Sequence, residues 1–217
     1  MRTDELIDRL GREVTVAQPL PAPGIRTAMW TVWAVSFLVV VAVMMFAVMS
    51  SIAVTATPLY LVQQSVALVT GIMAAHAALA SVIPGTNNRV WVLPAIGAAV
   101  WCVSLLWGGA VDLQASGTLG VTRQSDWPCV VSMTVGGLVV GAPLIWMLRR
   151  GAPLTPGLTA CLAALAALSF ANIEACLTRP HAFALTVLLW HGGTVAAVAA
   201  ICALTGRRWL RWPALRA

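Results

Sequence analysis

MWTVWAVSFLVVVAVMMFAVMS, residues 29–50, runs for 22 residues without a charge. As a helix it would rise about 33 Å, enough to cross the ~30 Å hydrocarbon core of a bilayer. Five further apolar runs follow, at 59–83, 90–110, 128–148, 157–177 and 183–205. Inside a membrane each backbone N–H and C=O must be satisfied within the segment, so such runs become helices. The chain is therefore expected to be all-α, a polytopic membrane protein built as a six-transmembrane-helix bundle. Composition agrees: 60% of the 217 residues are hydrophobic and 9% charged, where soluble domains carry about 25% charged residues. The stretch before Met29 is too long and too acidic for the n-region of a signal peptide, so the first run is read as the first span.

Orientation follows from the cations, all thirteen of which are arginine. With the amino terminus inside, Arg2, Arg9, Arg12, Arg26, Arg89, Arg149, Arg150, Arg207, Arg208, Arg211 and Arg216 face the cytoplasm, and Arg123 and Arg179 face out. Short cytoplasmic loops are enriched in positive charge. This split places both termini in the cytoplasm. Contact with a lipid bilayer accounts for the net charge of +6 and the pI near 9.9 without a direct nucleic-acid partner. Three parts result: a head at 1–26, a membrane domain at 27–206 and a basic tail at 207–217. In the tail Trp209 and Trp212, interleaved with arginines, suit an interfacial anchor. The connections are short except for GAVDLQASGTLGVTRQSDWP at 109–128, which is expected to form an external loop.

The head holds four of the seven acids, Asp4, Glu5, Asp8 and Glu13. Too short to bury a core of its own, it can act only as a bound peptide. Thr3 can cap a short cytoplasmic helix whose first turn carries Asp4 and Glu5, where negative charge meets the positive end of the helix dipole. Leu6, Ile7, Leu10 and Val14 recur at helical spacing on one side. That stripe suits a partner's groove, or alternatively the membrane surface. An acidic first turn is unusual for a lipid anchor. QPLPAPG then ends the helix and supplies a stiff tether.

Topology sorts the five cysteines. Cys102, Cys161 and Cys202 fall inside spans and read as small packing residues. Cys129, in DWPC, opens the fourth span and Cys176, in NIEACLTRP, closes the fifth, so both lie at the outer mouth. Two thiols there can form a disulfide or share a soft metal ion, or be unrelated buried residues. Met133 lies one turn below Cys129, and Asp126, Glu174, His181 and Met49 fall at similar depth. A tentative ligand set of Cys129, Cys176, Met133 and His181 would favour a soft or borderline ion such as copper, zinc or cadmium. No resident cofactor is required. His76 and His191 differ in depth by about 13 Å, too much to clamp one haem between them, and packing within the bundle is their simpler role. Asn172 and Glu174 are the strongly polar side chains of the spans, with Glu174 close enough to the outer interface to reach water.

MRTDELIDRL at the start, ASVIPG after the second span, the WPC opening of the fourth, and IEACLTRPHAF through LLWH across the last two spans together resemble the NrsF-type family of six-span anti-sigma factors. The resemblance covers nearly the whole length. It implies a regulator rather than an enzyme, with a head that holds an extracytoplasmic-function sigma factor away from RNA polymerase. It also implies that Cys129 and Cys176 act as a sensor pair for heavy-metal or oxidative stress. Family members often carry HCP-like surroundings at the second cysteine, whereas this chain reads EACLTRPH. Two other classes compete. A small transporter or channel could use Asn172, Glu174 and helix breaks at Pro94 and Pro143. A thiol oxidoreductase is also conceivable, though CxxC is absent.

Overall fold

The computed structural model describes Glu5 and residues 20–49, 57–86, 89–117, 127–151, 153–178 and 183–210. Among these residues the chain is helical throughout and has no strand. Six helices are long and apolar enough to cross a membrane. They are α1 (Pro23–Met49), α2 (Pro58–Ala80), α3 (Val92–Ser116), α4 (Trp127–Arg149), α5 (Pro156–Thr178) and α6 (Ala184–Trp209). A π-helical turn, Leu188–Gly192, interrupts α6. Of the first nineteen residues only Glu5 is described, helical and exposed; Asp4, Leu6, Ile7, Leu10 and Val14 lie outside the described residues.

Helix α5 is the hub. In its apolar window 72% of residues are buried, against 6% in α1, and it packs on α1, α2, α4 and α6. Its sequence explains the position. PGLTACLAALAALSFANIEACLT carries seven alanines, and in a membrane, where lipid tails are as apolar as leucine, small residues hold helices together by letting backbones approach. At one end α5 and α6 interlock through glycine: a Cβ on Gly206 would stand 2.6 Å from the Pro156 carbonyl oxygen and 2.8 Å from Ala160 Cβ. Since a backbone carbonyl cannot swing aside, Gly206→Val is expected to destabilise the protein by about 1–3 kcal/mol. Thermal unfolding of the purified protein in detergent would read this directly.

Helix α1 touches the bundle mainly near its start, and one proline explains how. Pro143 interrupts α4, and because proline has no N–H the carbonyl four residues earlier loses its helical partner. That carbonyl belongs to Val139, and the Trp33 indole donates to it at 3.3 Å. Trp30 donates to the next carbonyl, Val140, at 3.0 Å and meets Phe170 of α5 edge-on, with ring centroids 5.2 Å apart. Buried Arg26 reaches the Met147 carbonyl of the same helix.

Two boundaries differ from expectation. Helix α1 begins at Pro23 rather than Met29, because proline is preorganised for a first helical turn and Arg26 finds a partner on α4. Helix α3 continues through Ser116 into the expected external loop at 109–128. Asp112, on this extra turn, accepts from the Ala184 N–H at 3.0 Å and so satisfies an orphan donor at the start of α6. Gly117, with φ of 68°, then ends α3 in the left-handed conformation that glycine adopts freely.

Candidate functional site: a polar cluster around Cys176

The last turns of α5 sort their polar residues by face. Asn172 and Cys176, four apart, share one face, and His191 in the π turn of α6 meets it. The His191 Nδ1 donates to Asn172 Oδ1 at 2.8 Å. The Cys176 Sγ lies 3.9 Å from both Asn172 Oδ1 and His191 Nδ1, a weak thiol contact that nevertheless fixes where the sulfur points. All three residues are buried. From α2, Gln64 lies near the thiol, and Tyr60 packs on the same apolar cluster as Cys176 and Leu105. π turns often mark functional positions. This one is where α6 carries its buried histidine.

Glu174 faces α4 instead. Ser132 donates to both of its carboxylate oxygens at 3.0 Å, and the adjacent space is kept open by Gly136, where a Cβ would stand 3.3 Å from Glu174 Oε2. With 8% of its surface exposed in the bundle, Glu174 is tied to the helix interface rather than standing free at the outer rim. Ser132 lies one turn from Cys129, which is itself 2% exposed.

Both sensor candidates, Cys129 and Cys176, are thus buried cysteines outside any disulfide, and Cys129 lies within electrostatic range of Cys176. Met133 is fully buried among Leu168, Ala171 and Ala175. His181 and Asp126 fall outside the described residues. Among the described residues no group of three or more His, Cys, Asp and Glu side chains is arranged to hold a metal ion. The two inner histidines separate as their depths require, His76 sitting 3.3 Å from Thr27 Oγ1 near the start of α1.

The cluster is only partly satisfied. Asn172 Nδ2, Gln64 Oε1 and Tyr60 Oη are buried without a hydrogen-bond partner, and each such atom costs about 1–3 kcal/mol. Chemically, the arrangement is a thiol surrounded by hydrogen-bonding groups from three helices, with a second thiol on a fourth. Gln64, Ser132 and His191's link to Cys176 were not foreseen from the sequence.

The model of a protein family described as negative regulator of sigma F, NrsF, matches residues 14–212. The chain belongs to the NrsF family. The match takes in all six spans of this NrsF protein, together with Cys129, Cys176, Asn172 and His191. No curated protein and no solved structure matches the chain significantly. An NrsF protein is a negative regulator of a sigma factor, so a sigma factor is its partner. Six membrane-compatible helices are the scaffold from which this one regulates.

Proposed function

We propose that this NrsF protein is an anti-sigma factor of the bacterial inner membrane, with both termini in the cytoplasm. Its head binds an extracytoplasmic-function sigma factor and releases it when Cys129 and Cys176 meet oxidative or heavy-metal stress. The observation that carries this reading is the placement of Cys176. The thiol of α5 lies 3.9 Å from Asn172 and from His191 of α6, with Gln64 of α2 and Cys129 of α4 within electrostatic range. A covalent or coordinative change there bears on four helices at once.

Oxidation by a peroxide would join the two sulfurs. The thiols give up two protons and two electrons, and the peroxide leaves as two waters. Burial of both thiols favours small reagents. For a soft cation such as copper, zinc or cadmium the pair supplies two sulfur donors, and His181 is the further ligand proposed from its position in the sequence. The three unpartnered polar atoms beside the thiol lower the cost of leaving the resting arrangement, since a partly satisfied network loses little when it opens.

Transmission to the head would run through α4. Helix α4 carries Cys129, and its carbonyls at Val139, Val140 and Met147 hold Trp33, Trp30 and Arg26 of α1. The head continues directly from α1. A displacement of α4 therefore moves the element that bears the sigma-binding stripe of Leu6, Ile7, Leu10 and Val14. A two-state element biased from both ends is the physical content of such coupling.

The test is a pair of single variants, Cys129→Ser and Cys176→Ser, in a reporter strain under control of the cognate sigma factor. Both are expected to keep repression in unstressed cells and to lose at least about tenfold of the induction by peroxide or cadmium, equivalent to ~1.4 kcal/mol of lost bias between the states. Wild-type induction in both variants would remove the thiols from the mechanism.

A further inference from the structure

An apolar slot opens on the outer face of the bundle between α4, α5 and α6, with a volume of about 420 Å³. It begins at Thr134 and ends at Arg149 and Trp209. Fifteen residues of α4 separate Thr134 from Arg149, so the slot is about 22 Å long. That is the depth of one leaflet with its headgroups, half of a ~40–45 Å bilayer. Its length and apolar lining suit an extended acyl chain lying along the bundle. Its floor is made of small residues, Gly141, Ala164 and Ala167 among them.

The mouth has the opposite character. Arg149 lines it and donates through Nε to the Trp209 carbonyl at 3.2 Å. Arg150 stacks on the Trp146 ring, with its guanidinium carbon 3.7 Å from the ring centroid. Arg207 and Arg208 occupy the last turn of α6. Trp146 and Trp209, more than half exposed, have the amphipathic rings that settle at headgroup level. Two arginines, Arg149 in the lining and Arg150 stacked on the lining residue Trp146, therefore stand at one end of a one-leaflet hydrocarbon slot, and no acid is found among its lining residues.

We propose that this slot is a binding site for one anionic phospholipid, with an acyl chain between α4, α5 and α6 and the phosphate at Arg149 and Arg150. The acidic head of the chain itself is a poor occupant, because Asp4, Glu5, Asp8 and Glu13 would enter hydrocarbon where charges are costly. The site lies at the end of α4 and α6 away from Cys129 and His191, and does not depend on any role of the thiols.

Native mass spectrometry of the full-length protein, equilibrated in detergent with equal phosphatidylglycerol and phosphatidylcholine, tests this. One retained phosphatidylglycerol per monomer is expected, favoured over phosphatidylcholine by roughly twentyfold, since each arginine near an anionic surface contributes about fivefold. R149Q/R150Q should bring the ratio close to one, while R149K/R150K should keep most of it. Ala142→Trp, at an exposed lining position, should remove both lipids from an otherwise intact monomer, the thermal unfolding of which shows that it has folded. Equal retention of the two lipids by wild type would overturn the proposal. So would phosphatidylglycerol retention unchanged by both R149Q/R150Q and Ala142→Trp, or a dimer that Ala142→Trp abolishes.

Discussion

Deleting residues 1–19 is expected to abolish sigma-factor binding while leaving the membrane domain folded. Helix α1 starts at Pro23, and its anchors Arg26, Trp30 and Trp33 are all retained. What disappears is the amphipathic stripe. Each of Leu6, Ile7, Leu10 and Val14 would contribute about 1.5–3 kcal/mol if fully buried in a partner, so all four together, about 6–12 kcal/mol, are comparable to the whole free energy of a micromolar complex, about 8 kcal/mol. Leu10→Asp alone should weaken binding at least about tenfold, because it also places an unpaired charge in an apolar groove. Co-purification of the sigma factor with full-length and truncated protein measures both. A transporter would be indifferent to either change.

Trp30→Ala is expected to be the most damaging single substitution in the bundle, at about 3 kcal/mol. Large aromatic deletions in soluble cores cost about 3–5 kcal/mol. In a bilayer the alternative surroundings are lipid rather than water, so the transfer part shrinks and the cavity and lost contacts remain. Here the loss includes the edge-on contact with Phe170 and the hydrogen bond to Val140. Trp30→Phe should cost about 1 kcal/mol, since it keeps a ring against Phe170 and loses the indole donor. Unfolding of the two variants in detergent separates packing from hydrogen bonding. Because Trp30 links α1 to α4, the alanine variant should also blunt induction more than it weakens repression.

The six spans were legible because apolar runs of about 20 residues admit one reading in a membrane. The boundaries of α1 and α3 were not, since they depend on partners in other helices: the Met147 carbonyl for Arg26 and the Ala184 N–H for Asp112. The same division holds at the site. Cys129 and Cys176 were legible as neighbours because they lie at adjoining ends of antiparallel helices. Gln64 and Ser132 were not, because a lone polar residue in a span has no periodicity to betray it. His191 could have been matched to Asn172 by depth: Asn172 lies six residues before the end of α5 and His191 seven after the start of α6, about 9 and 10 Å along their helices. Met133 shows the limit of helical spacing, which places it one turn from Cys129 but not among Leu168, Ala171 and Ala175. Pro143 reads from the sequence as a helix break, and in the structure it leaves the Val139 carbonyl to accept from Trp33.

The central claim is that the thiols beside Asn172 and His191 control the grip of the head on a sigma factor. The most direct test follows release of labelled sigma factor from full-length protein in lipid nanodiscs as peroxide or cadmium is added. The account predicts that sigma factor stays bound to reduced wild type and leaves on treatment, and that it stays bound to treated Cys129→Ser and Cys176→Ser proteins. Equal release from wild type and both variants, or no binding to the reduced wild type, would contradict it.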